Sequence, residues 1–187
     1  PSSGVPIRCS RAAGEEMPPD AAVQVVHSDR NRRKGHAVRQ GFARARGTGA
    51  IQDADLELDP AQLPDLVGPV LRGEAEVVYG SRFLGPTSAP FMTVAGNKML
   101  TPLTNALFAS SLTDMETCYK VMRVDVLRSF TLHSNGFGIE PEITAKIFKR
   151  GYRVYEMPIT YYGRSYHEGK KITWRDGASA LWTLVKY

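Results

Sequence analysis

Two aspartates, Asp53 and Asp55, stand one residue apart in the acidic stretch 51–59, directly after a short apolar segment. Side chains at positions i and i+2 of an extended segment point the same way, so the two carboxylates can converge on one ion. Mg²⁺ binds to few carboxylates and leaves the rest of its octahedron to water and phosphate oxygens. The spacing therefore predicts a divalent-metal site that also holds a diphosphate. The same acids equally fit a solvated loop or a cap on a helix that begins at Pro60.

The elements around this stretch decide whether such a site can form, because ligands of open α/β sheets bind at the carboxyl ends of strands. Apolar spacing alternates along the chain between strand-like and helix-like periods, which predicts an α/β domain with a largely parallel sheet. The predicted strands are 23–27, 50–53, 76–79, 118–123 and 153–161. The predicted helices are 34–46, 60–72, 92–109, which is broken or kinked at Pro102, 141–150 and 174–187.

The composition narrows the classes of protein and of site. The 187 residues, 42% of them hydrophobic, allow one domain with a sizeable core, and the net charge of +5 indicates an anionic partner. Cys9 and Cys118 are too few for a disulfide framework, which favours a reducing compartment. The four scattered histidines have no zinc-ligand spacing, so we expect any metal to be bound by oxygen. No apolar run approaches the ~18 residues of a membrane-spanning helix.

Further motifs surround the acidic stretch in a definite order. They are Asn31–Gly41, Tyr79–Phe83, Thr113–Val121, Phe137–Glu142, Tyr162–Arg164 and Glu168–Lys171. In order and spacing these motifs are similar to those of family 2 glycosyltransferases, and the chain resembles that family over residues 23–187. Within the family it resembles most the branch of dolichol-phosphate mannose synthases, which transfer a sugar from a nucleotide diphosphate to a polyprenyl or dolichyl phosphate.

The resemblance implies a fold, a reaction and partners. The fold is the glycosyltransferase A type, a Rossmann-like and mostly parallel α/β sheet flanked by helices. The reaction is inverting and depends on Mg²⁺ or Mn²⁺, with a nucleotide sugar as donor and a lipid phosphate at a membrane surface as acceptor. The enzyme is then expected in the cytoplasm, peripheral at the cytoplasmic face of a membrane.

On the donor side, the resemblance implies that Asp53, Asp55 and Glu57 lie at the metal. Arg164 and Lys170 belong by the same resemblance to a mobile loop that closes over the phosphates. Arginine suits phosphate because its planar fork donates two hydrogen bonds at once. Arg164 and Lys170 also fit an ordinary run of solvated charges.

On the acceptor side, the resemblance implies that Arg82 holds the acceptor phosphate and that Glu140 contributes to substrate binding. Asp114 falls where the family has an acid near the acceptor, and is the candidate catalytic residue. An attacking phosphate is already an anion, so positioning and charge neutralisation matter more than a general base. Arg82 also fits a surface ion pair, and Asp114 a cap on the turn before Cys118.

The chain departs from the family at its beginning. Relatives start with a strand carrying an Asn-Glu pair and continue to a second strand ending in Asp-Asp-Gly-Ser, and neither motif occurs here. We therefore expect residues 1–22 to be an irregular leader, and residues 23–187 to be a catalytic domain lacking its first two strands. The missing segment supplies much of the base and ribose pocket in the family, which leaves the activity of this chain open.

Two other functions compete with lipid-phosphate glycosylation. A transferase of the same fold with a saccharide hydroxyl as acceptor would need a base, and Asp114 or Glu140 would then be essential. The second competing possibility is a non-catalytic fragment or a module that binds nucleic acid. No nucleic-acid partner is expected, because aromatic residues are not interleaved with the basic ones as stacking platforms require. The sequence leaves open the sugar, the nucleotide, the lipid and the oligomeric state.

Overall fold

The computed structural model describes residues 26–164 and 174–187. Within these ranges, four strands form one sheet in the order β1-β3-β2-β4. Their bounds are Thr48–Ala50 for β1, Val77–Ser81 for β2, Lys120–Arg123 for β3 and Val154–Pro158 for β4. The α/β class predicted from the sequence is confirmed.

The direction of the strands differs from the expectation. The β3 strand runs antiparallel to both β1 and β2, and only β2 and β4 are parallel among the described pairs. The sheet is therefore mixed, and the expected predominance of parallel pairs is corrected. Alternation of helices and strands along a sequence does not determine strand direction, and mixed sheets are common in α/β proteins. Here the long connection between β2 and β3 returns the chain so that β3 enters the sheet in reverse.

Helices flank the sheet. Their bounds are Lys34–Arg44 for α1, Leu63–Leu71 for α2, Phe91–Phe108 for α3, Val124–Arg128 for α4, Ile139–Lys149 for α5 and Trp174–Lys186 for α6. Five of these helices lie where the sequence predicts them, within a few residues. The prediction missed α4, because five residues are too short for a helical period to be visible. The α3 helix is continuous through Pro102, where the sequence predicted a break or a kink, so the helix is not broken there.

The first predicted strand is not found where it can be checked. Of the segment 23–27, residues 23–25 lie outside the described ranges, while Val26 and His27 are not in a strand and are exposed. A β-prone run forms a strand only when a neighbouring strand pairs with it and buries one of its faces, and Val26 and His27 pair with none of the described strands.

The core joins the sheet to α5. Residues 77–79 of β2 are completely buried, and α5 turns Ile139, Ile143 and Ile147 inward at helical spacing. The Tyr79 hydroxyl lies 2.9 Å from Thr144 Oγ1 of α5 and fixes this helix against the sheet. Packing of this face places the first turn of α5 beside the ends of β2 and β3.

The start of α1 is held equally tightly. Gly35 N donates a hydrogen bond to Asn135 O at 2.8 Å, and a Cβ at Gly35 would lie 2.2 Å from Ser134 O. Only glycine permits this approach of two backbones. The contact places Lys34, the first residue of α1, next to the first turn of α5. Among the described helices, none is long and apolar enough to span a membrane.

Candidate active site

The acidic stretch forms a loop after β1. Ile51 anchors its beginning, because its side chain is buried and its N–H donates to Lys120 O at 3.1 Å. Asp53 and Asp55 are partly exposed, and Leu56 between Asp55 and Glu57 has a positive φ of 62°. A left-handed conformation is uncommon for leucine, and such residues concentrate at functional sites. The loop thus presents carboxylates from a strained turn.

A lysine that the sequence motifs contain, but to which no role was assigned, lies on Asp53. Lys34 Nζ is 2.7 Å from Asp53 Oδ2 and 2.8 Å from Glu140 Oε1. Burial would lower the pKa of Lys34, but Glu140 and Asp53 outweigh it and raise the pKa above its usual value. Lys34 is therefore a stable cation that connects the acidic loop to α5.

Arg164 binds to the other two acids of the loop. Its Nη2 lies 3.1 Å from Asp55 Oδ2, and its Nε lies 3.4 Å from Glu57 Oε1. The backbone N–H of Arg164 also donates to Glu57 Oε1 at 3.0 Å, and the Tyr161 hydroxyl donates to Glu57 Oε2 at 2.8 Å. Both carboxylate oxygens of Glu57 thus accept hydrogen bonds from the segment that follows β4. Glu57 positions Arg164 in this conformation, and Lys170 lies outside the described residues.

The candidate acceptor residues form a buried ion pair at the end of β2. Arg82 Nε and Nη2 donate to the two carboxylate oxygens of Asp114, each at 2.7 Å, and Arg82 N donates to Asp114 Oδ2 at 3.0 Å. Glu156 in turn accepts hydrogen bonds from the N–H groups of Thr113 and Asp114, at 2.7 and 3.1 Å. Asp114 is completely buried, and its carboxylate is occupied in holding Arg82.

A second buried pair lies below the first turn of α5. Lys120 Nζ is 2.7 Å from Glu140 Oε2 and donates to Met115 O at 3.0 Å, and Lys120 is completely buried. Burial would raise the pKa of Glu140, but Lys120 and Lys34 outweigh it and hold the pKa below its usual range. Glu140 is therefore an ionised carboxylate between two lysines.

One cavity of about 430 Å³ joins these groups. Its polar wall carries the charged residues of both regions, and its opposite wall consists mainly of small and apolar residues of α3 and α6. The charged lining is Lys34, Asp53, Asp55, Glu57, Arg82, Glu116 and Glu140. The α3 and α6 lining includes Met92, Ala95, Gly96, Met99, Leu100, Gly177, Ala178 and Ala180. Of the site residues predicted from the sequence and described by the structure, Asp114 and Arg164 do not line the cavity. Asp114 is bound to Arg82, and Arg164 to Asp55 and Glu57, which do line it.

The fit of a divalent cation depends on the acidic loop. Asp53 and Asp55 supply the carboxylate oxygens that Mg²⁺ and Mn²⁺ accept, and both open onto the cavity. Across residues 26–164 and 174–187, no three acidic, histidine or cysteine side chains are grouped as a complete metal site. Two aspartates with open positions fit an ion that takes its remaining ligands from water and a phosphorylated substrate.

Comparison with known proteins identifies the family. The sequence profile of Glycosyl transferase family 2 matches residues 10–131. The chain belongs to this family. The match begins inside the segment 1–22, for which the sequence predicted an irregular leader, and includes the acidic loop, Arg82 and Asp114.

Two curated relatives are similar to this family 2 glycosyltransferase chain. The undecaprenyl-phosphate mannosyltransferase of Micrococcus luteus is 32% identical over 165 residues, which are 81% of this chain and 65% of the relative. The low-salt glycan biosynthesis hexosyltransferase Agl6 of Haloferax volcanii is 29% identical over 135 residues, or 70% of this chain and 33% of the relative. The chain thus spans a third to two thirds of the length of these two relatives.

A solved structure supports the fold. Glucosyl-3-phosphoglycerate synthase from Mycobacterium tuberculosis, in complex with Mn²⁺, uridine diphosphate and glucosyl-3-phosphoglycerate, superimposes with a TM-score of 0.61 and 19% identity. The superposition covers 82% of this chain and 54% of the synthase. The similarity confirms the glycosyltransferase A-type fold that the motifs implied.

Proposed function

We propose that this protein transfers one sugar, with inversion, from a nucleotide diphosphate sugar to a polyprenyl or dolichyl phosphate, using Mg²⁺ or Mn²⁺. The observation that carries the proposal is the composition of the cavity of about 430 Å³. It is lined by partly exposed carboxylates, by a buried arginine and by apolar residues of α3 and α6. A donor diphosphate and a lipid phosphate need different surroundings, and this cavity offers both.

At the donor end, Asp53 and Asp55 would hold the divalent ion, whose chemistry is to neutralise charge on the diphosphate leaving group. Lys34 and Arg164 bring two further cations to the same place. Arg164 is 38% exposed, and ion pairs with this exposure contribute little to stability, so its guanidinium can exchange a carboxylate for phosphate oxygens. Glu57 then keeps the backbone of Arg164 in reach of the donor.

At the acceptor end, Arg82 meets an anionic nucleophile. A phosphate needs in-line positioning and charge neutralisation, and no base has to remove a proton from it. This requirement agrees with the occupied state of the two acids that a hydroxyl acceptor would need, because Asp114 is paired with Arg82 and Glu140 with two lysines. The similarity to the undecaprenyl-phosphate mannosyltransferase of Micrococcus luteus also favours a lipid phosphate.

The apolar surface around the cavity supports a lipid acceptor. Phe91, Met92 and Met99 of α3 are exposed, as are Trp182 and Val185 of α6. Met92 and Met99 also line the cavity, and exposed apolar patches commonly mark sites of lipid or membrane contact. We place the protein at the cytoplasmic face of a membrane, where α3 and α6 would rest on the bilayer.

The deciding experiment is a transfer assay with radiolabelled nucleotide sugars and three acceptors. Undecaprenyl phosphate should be glycosylated, whereas undecaprenol and free saccharides should not. Chelation with EDTA should abolish the reaction, and Mn²⁺ or Mg²⁺ should restore it. Nuclear magnetic resonance of the product should give the anomer opposite to that of the donor. Transfer to a saccharide in preference to undecaprenyl phosphate would contradict the proposal.

A further inference from the structure

Glu116 lines the cavity and has no role in the arrangement described above. Both of its neighbours are anchored. Met115 N donates to Thr101 Oγ1 at 3.1 Å, and Thr117 Oγ1 donates to Gly80 O at 2.5 Å. The backbone at Glu116 is therefore fixed between α3 and β2, and its side chain is held at the cavity. Its Oε1 atom is buried and accepts no hydrogen bond from the described residues.

The charged groups around Glu116 are Arg82, Asp114, Lys120 and Glu140. Arg82 and Asp114 form one ion pair and Lys120 and Glu140 form another, so neither cation is free to neutralise a further carboxylate. Burial raises the pKa of Glu116 to about 7, against the effect of Lys120 and Arg82. The carboxyl of Glu116 therefore exchanges its proton near neutral pH, well above the acidic range of an exposed glutamate.

We propose that Glu116 binds the acceptor phosphate by sharing one proton with it. The inference rests on the proposed function, since it takes the acceptor to be a phosphomonoester. A buried carboxylic acid that has no protein partner is a hydrogen-bond donor without an acceptor, and a phosphate oxygen is a strong acceptor. The Arg82 guanidinium has five N–H donors, of which two bind Asp114 and one is shared with Tyr161, so the phosphate meets a remaining guanidinium N–H group and one carboxyl group.

The shared proton has a consequence for binding. An ionised Glu116 and a phosphate dianion repel each other in a buried site, so the complex must retain one proton between the carboxyl and a phosphate oxygen. Above pH 7 both partners are ionised when apart, because the second pKa of a phosphomonoester is near 6. Acceptor binding should then take up one proton from the buffer, and the Kd should rise by up to tenfold for each pH unit.

The test uses farnesyl phosphate as a short isoprenyl phosphate. Isothermal titration calorimetry of the wild-type protein between pH 6 and pH 8.5, in two buffers of different ionisation enthalpy, gives both the Kd and the number of protons taken up. We expect uptake of about one proton per farnesyl phosphate above pH 7. Glu116→Gln keeps a hydrogen-bond donor of the same shape but does not titrate, and it should bind farnesyl phosphate with a Kd that is independent of pH above 7. Glu74→Gln, at an exposed position on the surface, is the matched control and should behave as wild type.

Each other outcome has a distinct meaning. Binding of farnesyl phosphate without proton uptake by the wild type, or the same pH dependence in Glu116→Gln, would overturn the inference and leave the acceptor class intact. No binding of farnesyl phosphate at any pH would overturn the proposed acceptor class and the inference with it. A pH dependence confined to kcat at saturating acceptor would make Glu116 a base and overturn its binding role. The proton count on the wild-type protein decides the matter even if the Gln variant does not fold.

Discussion

The two ends of the cavity carry similar numbers of charges but hold them differently. At the donor end, the side chains of Asp53 and Asp55 are 32% and 29% exposed. At the acceptor end, Asp114 and Lys120 are completely buried. We call the first group, Lys34, Asp53, Asp55, Glu57 and Arg164, the donor cluster, and the second, Arg82, Asp114, Lys120 and Glu140, the acceptor cluster.

This difference in exposure indicates that the donor cluster can exchange its partners for ligands, whereas the acceptor cluster is preorganised. Partly exposed ion pairs contribute less to stability than buried ones, and they can be replaced by a metal ion and a diphosphate at smaller cost. Buried pairs are costly to break, because the partner left behind is an uncompensated charge. The donor cluster is thus built to change partners when the donor binds, whereas the acceptor cluster keeps a fixed geometry. Substitutions in the two clusters should therefore affect stability very differently.

The largest effect on stability is expected for Glu140→Gln. This change removes the carboxylate from between two lysines and leaves Lys120 charged in the core. Breaking a buried pair in this way typically costs about 3–5 kcal/mol in the free energy of unfolding. Urea denaturation followed by circular dichroism measures it. Glu74→Gln, in an exposed pair with Arg72, is the control and should leave the free energy of unfolding unchanged.

The role of Glu140 also predicts how the free energy of unfolding changes at acidic pH. The pKa of Glu140 is held below its usual range in the folded protein, so its contribution to stability is present above the unfolded pKa of about 4.3. That contribution is lost as the pH falls from there through the folded-state value. Wild type should therefore lose stability more steeply than Glu140→Gln below about pH 4.3. Parallel stability curves for the two proteins would show that Glu140 does not have this electrostatic role.

A somewhat smaller effect is expected for Arg82→Lys, which keeps the charge but loses the two-pronged contact with Asp114. Loss of one charged hydrogen bond should destabilise the fold by about 1.5–3 kcal/mol. The KM for the acceptor should rise because the remaining ammonium is displaced. Denaturation and steady-state kinetics against acceptor concentration measure both effects. Arg123→Lys, in an exposed pair with Asp125, is the control, and a rise confined to the KM of the nucleotide sugar would place Arg82 on the donor side.

The donor cluster should show the opposite behaviour in Asp53→Asn and Asp55→Asn. Each change should alter the free energy of unfolding by less than about 1 kcal/mol, because both aspartates are partly exposed and Lys34 keeps Glu140 as a partner. Binding of Mn²⁺ in the presence of a nucleotide diphosphate should nevertheless be lost. Electron paramagnetic resonance of free Mn²⁺ during titration measures this binding. Unchanged binding in both variants would remove the acidic loop from the proposed metal site.

The smallest effect on stability is expected for Arg164→Gln, which should cost only about 0.2–0.5 kcal/mol. The KM for the nucleotide sugar should rise, because a cation that faces the donor is lost. The segment 163–171, most of which lies outside the described residues, is predicted to close over the donor phosphates. Limited proteolysis should find it protected when a nucleotide diphosphate and Mn²⁺ are bound. The same cleavage rate with and without these ligands would count against a closing loop.

The sequence predicted the fold class and most helices because these depend on local patterns. The apolar spacing of α5 and α6 repeats within one helix, so a short window of sequence contains the signal. Strand direction was not predictable in this way, since the reversal of β3 depends on how the connection that contains α3 returns the chain to the sheet, and helical periodicity does not determine this. The short α4 was not predicted, because its five residues make less than two helical turns and show no helical period.

The motifs located the candidate site, but not the partners of its residues. Asp53, Asp55, Arg82 and Glu140 were all singled out from the sequence, and the structure brings them to one cavity. Arg164, also singled out, is paired with Asp55 and Glu57 of that cavity. The occupied states of Asp114 and Glu57 had no sequence signal, because an ion pair depends on residues that are distant along the chain. Arg82 and Asp114 are 32 positions apart, and Arg164 and Asp55 are 109 apart.

The sequence by itself determined the family, the acidic loop and the position of each charged motif, because these depend only on the types of residue and their spacing. Only the tertiary structure decided which charges neutralise one another and which buried carboxyl accepts no hydrogen bond from residues 26–164 and 174–187. Glu116 is the clearest case, since its neighbours in the sequence do not distinguish it from a solvated acid. Its raised pKa results from burial beside ion pairs that are already complete. Burial of a charge depends on the packing of the whole domain, and no local pattern encodes it.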